Sequence, residues 1–297
     1  MESEIEEVLR ELKLSSQDLR IELMENGIAS KNYHIRSNDE EFLIKLDSRG
    51  VREHQLDLSA RNCAQKAGVS VPKTLSITSC SSSILEFING DDFNYLGENV
   101  SLLAKTQASL HNVTPPPFVR KSVYSDITID RDLTLAIDNK YPLKVVNIYD
   151  VLYKAPENII SPLFQCGNLT HCDLKPDNIL KYKGSVTLLD WEKSCSCSRE
   201  MDLILALMFL IADNQNIDER LKIFCNAYLN EIDGFLNSEL ILDALKYVPL
   251  VFLFRDAGLA ISKSEQRRVE YVDFFVYPML VSWYENGCEE KIRNYLL

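Results

Sequence analysis

Polar side chains suited to a catalytic centre crowd the stretch HCDLKPDNIL, residues 171–180, and a further acid, Asp190, ends the strand-like run VTLLD. Asn178 and Asp190 offer hard oxygen ligands of the kind that Mg²⁺ prefers. Asp173 offers a carboxylate that can orient a hydroxyl group and take its proton, and these are the parts that phosphoryl transfer needs. The alternative is a polar hairpin without chemistry. The long H-x-D-x-x-x-x-N pattern, followed by an apolar strand and Asp, favours phosphoryl transfer.

The segments ILKY and VTLLD alternate around Lys183-Gly184-Ser185, which predicts a β-hairpin with a three-residue loop. In this register Leu180 pairs with Leu188, and Asn178 pairs with Asp190. Directly opposed residues in a hairpin have Cβ atoms about 4.5–5.5 Å apart. We therefore expect the Asn178 amide and the Asp190 carboxylate to lie side by side at the end of the hairpin.

The combination HCDLKPDNIL…LLDWE resembles the aminoglycoside phosphotransferase and choline kinase family, which shares the protein kinase fold. The chain departs from the family pattern at Cys172, where Gly is usual, and at Lys175, where His is common. The resemblance implies ATP, with GTP left open, and Mg²⁺ as cofactors. It also implies a role for each matching residue: Asp173 is the catalytic base, Lys175 is a counter-charge near the transferred phosphate, Asn178 and Asp190 hold Mg²⁺, and His171 and Asp202 brace the catalytic loop.

A kinase of this fold needs a strand lysine, paired with a helix acid, to hold the α- and β-phosphates. Lys45 in the run EFLIKL takes that place. The family commonly has a helix Glu eleven residues before a Gly and fifteen before a Pro, and counting back from Gly68 and Pro72 reaches Asp57. Glu53 lies one turn earlier on the same helix face. The spacing favours Asp57, but Glu53 stays open because Asp is one methylene shorter than the usual Glu.

Two more segments resemble nucleotide-binding parts of the family. The loop ENGIASKNYHI resembles a G-x-x-S-N-x-x-Y segment, with Gly27, Ser30 and Tyr33 aligned but Asn32 displaced by one from the usual Asn. Its backbone N–H groups are suited to lie over phosphates. The run LEFINGDD resembles the hinge, which implies that the Glu86 carbonyl and the Ile88 amide meet the adenine edge.

Hydrophobic spacing gives the order of the elements that must position these residues. Residues 2–13 have helical periodicity, and three strand-like runs, a helix over 51–67 and two more strands follow. Beyond Asn89-Gly90 the pattern is mostly helical. We therefore predict an α+β protein with a two-lobed protein-kinase-like fold. Residues 1–88 form a small antiparallel β-sheet lobe that binds the nucleotide, and residues 89–297 form a larger, mainly helical lobe with the catalytic loop and the acceptor site.

The segment after Asp190 bears on the acceptor. The spelling Asp-Leu-Lys-Pro is typical of protein serine/threonine kinases, but only eleven residues, WEKSCSCSREM, separate Asp190 from Asp202. A protein kinase needs a longer activation segment there to bind a peptide. We therefore predict transfer to a hydroxyl group of a small molecule: an amino sugar, an aminoglycoside-type antibiotic or a choline-like alcohol. A protein kinase with a reduced activation segment and a non-catalytic pseudokinase are the alternatives.

The acceptor pocket is expected between the catalytic loop, residues 118–165 and the C-terminal helices. The aromatic residues of YVDFFVYPMLVSWYENG, residues 271–287, and acids such as Glu192 and Asp256 suit a cationic acceptor. Aromatic residues at helical spacing are more often part of the core, so none of these is assigned to the site.

Bulk properties limit the partners and the location of the chain. It has 297 residues and a formal net charge of −12, which disfavours nucleic acid and anionic membranes as partners. Eight cysteines are scattered without C-x-x-C or zinc-ligand spacing, which predicts free thiols in a reducing compartment. The acidic, amphipathic N-terminus is unlike a signal peptide, and the longest apolar run is too short to cross a bilayer. We expect a cytoplasmic protein, and its oligomeric state is left open.

Overall fold

The computed structural model describes residues 3–11, 19–24, 30–37, 40–47, 49–78, 82–116, 163, 167–212, 214–249 and 276–297. The elements of its N-terminal part are α1, Ser3–Glu11; β1, Leu19–Met24; β2, Ser30–Ser37; β3, Glu40–Asp47; α2, Val51–Lys66; β4, Thr74–Ile77; and β5, Ser82–Glu86. The strands form a five-stranded antiparallel sheet in the order β1-β2-β3-β5-β4. The prediction of five strands with a long helix after the third is confirmed.

Helix α1 covers one face of this sheet. Alternation along β2 and β3 sends every second side chain to the same face, where Ile35 and Ile44 are completely buried. Ile5, Val8 and Leu9 of α1 pack against this face and form a single hydrophobic cluster with it. Burying an aliphatic side chain of this size contributes about 1.5–3 kcal/mol. The predicted helical periodicity of the N-terminus therefore corresponds to a helix that completes the core of the sheet.

The C-terminal part contains more helices and two small sheets. Its elements are β6, Asp91–Asp92; α3, Glu98–His111; β7, Asn168–Thr170; β8, Ile179–Tyr182; β9, Ser185–Leu188; β10, Cys195–Cys197; α4, Arg199–Leu210; α5, Ile217–Leu229; α6, residues 238–249; α7, Tyr277–Glu285; and α8, Cys288–Leu296. Strands β6, β8 and β9 form one sheet, and β7 pairs with β10 in the other. None of the described helices combines the length and apolar character needed to cross a bilayer.

Helix α4 lies in the middle of the large hydrophobic cluster of this part. Its residues from Glu200 to Leu210 are all buried, and they belong with side chains of α3, α5 and α7 to the same cluster. The helix begins at Ser198, whose Oγ accepts a hydrogen bond from the Met201 N–H at 3.2 Å. This cap fixes the first turn, which contains Asp202.

The β8–β9 hairpin differs from the predicted register by one residue. Tyr182 pairs with Ser185 and Ile179 with Leu188, so the turn has two residues, Lys183 and Gly184. Both have positive φ, 50° and 77°, as a type I′ turn requires. The prediction that Asn178 is paired with Asp190 is therefore wrong.

Asn178 instead ends a short 3₁₀ helix, Pro176–Asn178, and its carbonyl accepts a hydrogen bond from the Leu189 N–H at 2.8 Å. The two-residue turn is favoured because its twist matches that of the strands it joins. Side-chain alternation alone could not distinguish it from a three-residue loop.

Several predicted features lie outside the described residues. They include the loop 25–29 with Gly27, nearly all of residues 118–165, and the first five residues of the aromatic stretch that begins at Tyr271. The boundary between lobes at residue 88 stays a prediction.

Candidate active site

A cavity lies between the N-terminal sheet and the loop 171–178. Apolar side chains of the sheet meet polar side chains of the loop across it. The lining residues are Met24, Asn32, Leu43, Lys45, Arg61, Pro72, Leu85, Lys175, Asp177, Asn178, Leu189, Asp190 and Trp191. Four residues that the sequence singled out, Lys45, Lys175, Asn178 and Asp190, therefore line one cavity.

Asp173 lies behind Asn178 and is only 2% exposed. Its Oδ2 accepts a hydrogen bond from Asn178 Nδ2 at 2.9 Å, and its Oδ1 pairs with Lys193 Nζ at 2.9 Å. Burial raises the pKa of Asp173, but the positive charges of Lys193 and Lys175 outweigh it and hold the pKa below its ordinary value. Asp173 is therefore an ionised carboxylate at neutral pH, oriented by a donor at each oxygen.

Lys45 on β3 pairs with Asp190, which follows β9, with Nζ and Oδ1 2.6 Å apart. Burial lowers the pKa of Lys45, but the charges of Asp190 and Glu192 outweigh it, so the pKa is raised. Burial likewise raises the pKa of Asp190, and the charge of Lys45 outweighs that effect, so this pKa is lowered. Both groups stay charged at neutral pH, and their ion pair joins the sheet to the end of the hairpin.

Glu192 lies close enough to the Lys45–Asp190 pair for the charges of the pair to affect its pKa. Burial and the negative charge of Asp190 raise the pKa of Glu192 above its ordinary value. Its backbone carbonyl accepts a hydrogen bond from Arg49 Nη1 at 3.1 Å. Glu192, considered from sequence as an acceptor-binding acid, therefore shares its electrostatic surroundings with the Lys45–Asp190 pair.

Asp57, the favoured helix acid, pairs with Arg49 rather than with Lys45. Arg49 also contacts Asp47, Nη2 to Oδ2, at 2.5 Å. The guanidinium lies between the end of β3 and helix α2 because Arg49 stands two residues before the start of α2. The charge of Asp57 still contributes to the raised pKa of Lys45, so the nucleotide-binding role of Asp57 stays a prediction.

The remaining nucleotide-binding candidates do not belong to the lining of the cavity as far as the described residues form it. Ser30 begins β2 and pairs with Asp47. Glu53 is half-buried on the first turn of α2. Glu86 ends β5, one residue after Leu85 of the cavity wall, and Ile88 follows it without regular structure. The roles of Ser30, Glu53, Glu86 and Ile88 stay predictions.

Asp202 supports the loop from below. Its Oδ1 accepts a hydrogen bond from the Cys172 N–H at 2.7 Å, and its Oδ2 accepts one from the His171 N–H at 3.2 Å. His111 Nε2 lies 2.9 Å from the same Oδ2, and its Nδ1 lies 2.7 Å from the Tyr228 hydroxyl. This buried network extends from α5 through α3 and α4 to the backbone of the loop.

His171 contributes a second support. Its Nε2 donates a hydrogen bond to the Leu189 carbonyl at 2.7 Å, and its ring lies edge-on to Trp191 at 4.9 Å between centroids. Burial lowers the pKa of His171, and the surrounding carboxylates only partly oppose it. A neutral His171 therefore connects the start of the loop to the strand end that carries Asp190, and its bracing role stays a prediction.

Sequence reasoning missed three cations around the cavity: Lys193, Arg49 and Arg61. Arg61 lines the wall, and its Nη2 donates a hydrogen bond to Thr74 Oγ1 at 3.0 Å. Burial lowers the pKa of Arg61 to about 10, so the guanidinium is still charged at neutral pH. Lys193 has one sequence signal, its position three residues after Asp190. The short 3₁₀ helix Trp191–Lys193 is what brings it to Asp173.

Asn178, Asp190 and the sheet lysine Lys45 line one cavity, and the buried Asp173 is hydrogen-bonded to Asn178. This arrangement is that of a phosphotransferase of the kinase-like class. Residues 20–235 match the family model described as "Phosphotransferase enzyme family", and the chain belongs to this family. The predictions of a phosphotransferase and of a protein-kinase-like fold are confirmed. No curated protein matches the chain.

Solved structures of similar fold include several that are named as small-molecule kinases or phosphotransferases. The choline/ethanolamine kinase family protein from Mesorhizobium loti has a TM-score of 0.68 and 16% identity, and the match covers 98% of each chain. The choline kinase from Streptococcus pneumoniae has a TM-score of 0.65 and 15% identity, over 94% of this chain and 100% of that one. Spectinomycin phosphotransferase in complex with ADP and spectinomycin has a TM-score of 0.62 and 16% identity, over 93% and 98%. At such identities the likeness concerns the fold.

Proposed function

We propose that the protein is an ATP- and Mg²⁺-dependent kinase that transfers the γ-phosphate to a hydroxyl group of a small molecule. The acceptor class is an amino sugar, an aminoglycoside-type antibiotic or a choline-like alcohol. The observation that carries the proposal is the joint placement of Lys45, Asn178 and Asp190 around one cavity, with Asp173 hydrogen-bonded directly to Asn178.

Asp173 takes the proton of the attacking hydroxyl. A general base must be ionised before the reaction, and the lowered pKa of Asp173 meets that condition. Asn178 and Lys193 fix its two oxygens, so little reorientation is needed when the acceptor arrives. Lys175, which lines the same cavity, supplies positive charge near the phosphate that is transferred.

The nucleotide occupies the side of the cavity formed by the sheet. Met24, Leu43 and Leu85 give this side an apolar wall that suits a purine base, and Lys45 gives it a cation for the phosphates. The segment with Glu86 and Ile88 directly follows this wall, in agreement with a hinge role. ATP is the proposed donor, and GTP is tested beside it.

The donor set fits a magnesium ion. The Asp190 carboxylate is 31% exposed, Asn178 offers an amide oxygen, and both line the cavity. Hard oxygen ligands of this kind suit Mg²⁺. Asn178 and Asp190 would hold the ion, which when bound neutralises the charge on the phosphates.

A small acceptor is favoured by the short connection after Asp190. The eleven residues between Asp190 and Asp202 form the 3₁₀ helix Trp191–Lys193, β10 and the start of α4. All three are parts of the folded core region, and none is an extended platform for a peptide.

The net charge of −12 agrees with a cationic acceptor. The free thiols of the described cysteines agree with the proposed cytoplasmic location.

The test incubates the protein with Mg-ATP or Mg-GTP and a panel of aminocyclitols, aminoglycosides, choline and ethanolamine, with generic protein substrates in parallel. Mass spectrometry detects any phosphorylated product, and release of the nucleoside diphosphate measures its rate. We expect turnover of at least one small molecule. Phosphorylated protein without any small-molecule product would contradict the proposal and favour the protein kinase alternative.

The assignment of the base is tested in the same assay. Asp173→Asn should lower kcat by roughly 10²–10⁴-fold, the usual contribution of a general base. Asp92→Asn makes the same chemical change at an exposed position of β6 and should leave kcat unchanged. An active Asp173→Asn variant would remove Asp173 from the catalytic role.

A further inference from the structure

Three buried thiols lie together directly behind the catalytic loop. The Sγ atoms of Cys172, Cys195 and Cys197, here called the thiol cluster, all lie within 4.8 Å of one another. The Cys172 sulfur is 3.6 Å from that of Cys195 and 4.0 Å from that of Cys197. All three side chains are completely shielded from solvent.

The three cysteines are distant in the sequence and come together only through the fold. Cys195 and Cys197 are two residues apart on β10, so their side chains share one face of the strand. Strand β10 pairs with β7, and Cys195 lies opposite Thr170. The chain continues from Thr170 to Cys172, whose φ of 61° turns its side chain back toward the same face. Cys195 and Cys197 therefore follow Cys172 by 23 and 25 residues, and this spacing does not correspond to a recognisable zinc motif.

The sulfur spacing is that of a tetrahedral metal site. Zn²⁺ binds thiolates at about 2.3 Å, which places sulfurs of one tetrahedron about 3.8 Å apart. The two separations that involve Cys172, 3.6 and 4.0 Å, lie on either side of this value.

Thr170 supplies the fourth corner. Its Oγ1 lies 3.3, 3.5 and 3.1 Å from the sulfurs of Cys172, Cys195 and Cys197. An oxygen and a sulfur bound to one tetrahedral zinc ion are separated by about 3.5 Å. The Thr170 hydroxyl donates its proton to the Cys195 carbonyl at 2.9 Å, so its lone pairs are turned toward the sulfurs.

We propose that the thiol cluster is a structural binding site for one Zn²⁺ ion, coordinated by the thiolates of Cys172, Cys195 and Cys197, with Thr170 Oγ1 at the fourth position. Binding replaces three S–H bonds by three Zn–S bonds and releases three protons to solvent. The cluster changes from neutral to a net charge of −1. The ion joins β7 and β10 to the loop residue that lies between His171 and Asp173.

Burial of all three side chains keeps the sulfurs out of contact with water. A cation that replaces the protons would bind three sulfurs at once. Since the ligands come together only in the folded chain, the binding free energy adds to the stability of the fold.

The experiment measures metal on the full-length protein and needs no kinase assay. The reduced protein is stripped with a chelator, reloaded with Zn²⁺, passed through a desalting column and analysed for bound zinc by mass spectrometry of the metal. Wild type should retain about one zinc per chain. Loading with Co²⁺ instead should give a thiolate-to-cobalt charge-transfer band in the near ultraviolet.

Cys172→Gly is the sharpest variant. Glycine readily adopts the positive φ of this position and keeps the N–H that donates to Asp202, so the loop backbone is preserved. This variant should lose the bound zinc, the cobalt band and the rise in melting temperature on adding zinc. Cys197→Ala should behave in the same way, with circular dichroism as the check of folding for both.

Cys225→Ser is the matched control, because Cys225 is equally buried but lies on α5 outside the thiol cluster. It should retain zinc like wild type. Wild-type protein that retains no zinc, or a Cys172→Gly variant that retains as much as wild type, would overturn the proposal and leave the three cysteines as packing residues. Neither result depends on whether the protein is a kinase of small molecules.

Discussion

At the scale of single residues, Lys193 lowers the pKa of Asp173. Its Nζ lies 2.9 Å from Asp173 Oδ1, and its charge is the largest of those that hold the pKa of Asp173 down against burial. A base that must be ionised loses activity when its pKa rises toward the working pH. The proposed mechanism therefore predicts a specific effect of removing this lysine.

Lys193→Met should raise the pKa of Asp173 and shift the acidic limb of the kcat profile to higher pH. The variant should be impaired most in mildly acidic buffer and least in alkaline buffer, since high pH restores the carboxylate. Kinetic constants measured across this range provide the test. Lys105→Met, on the exposed side of α3, is the control. An unshifted limb would mean that Asp173 does not set the profile.

The residues that could be predicted from sequence are those that a local motif contains. Asp173, Asn178 and Asp190 lie within 18 positions of one another, and their order restricts the chemistry that they can perform. Lys193 and Arg49 could not be assigned in this way, because their partners depend on a 3₁₀ turn and on a bend between β3 and α2. Such contacts arise from tertiary geometry and have no periodic signal in the sequence.

At the scale of elements, the turn Lys183-Gly184 sets the register of the strand that delivers Asp190. A shift by one residue would move every side chain of β9 to the opposite face. The sequence predicts both strands correctly because their apolar residues are distinct, but the loop length could not be chosen from alternation. The positive φ angles of Lys183 and Gly184 are the feature that decides between the two registers.

Two substitutions in this turn should have opposite effects on stability. Lys183→Asn places a residue that tolerates positive φ where Lys does not, and it should raise the free energy of unfolding by some tenths of a kcal/mol. Gly184→Ala introduces a Cβ at φ 77° and should lower it by about 1–2 kcal/mol. Urea unfolding measures both. Equal, negligible effects would contradict the two-residue turn.

At the scale of the whole molecule, contacts of charged side chains connect two hydrophobic clusters. One comprises α1 and the sheet, and the other contains the helices, the catalytic loop and part of α2. The Lys45–Asp190 pair and the contacts of Arg49 with Asp57 and Glu192 connect the sheet side to the loop side. The two-part plan was predictable from the change in hydrophobic period along the chain. The packing of α2 in the second cluster could not be predicted in this way. Helical periodicity shows which face of a helix is apolar, but it does not show which element covers that face.

The distribution of buried titratable groups predicts sensitivity of the whole fold to acid. Burial lowers the pKa values of His54 and His171 from 6.5. Asp173, Asp190 and Asp202 have pKa values held below 3.8, against the opposing effect of burial, by Lys193, Lys45 and His111 respectively. In each case the unfolded chain binds protons more readily than the folded protein, so stability is present at neutral pH and is lost as pH falls.

The free energy of unfolding should therefore decline in two stages, the first below pH 6.5 as the histidines of the unfolded chain take up protons, and the second below 3.8 as its aspartates do. Each histidine can add at most about 1.4 kcal/mol per pH unit to the slope of the first stage. Urea unfolding at a series of pH values gives both slopes. His54→Gln removes one of the two buried histidines with lowered pKa values and does not touch the cavity. The Nε2 atom of His54 lies 3.0 Å from Ser83 Oγ. The substitution should reduce the slope of the first stage and leave the second unchanged, whereas an unaltered first slope would show that a buried neutral His54 is not a source of the acid sensitivity.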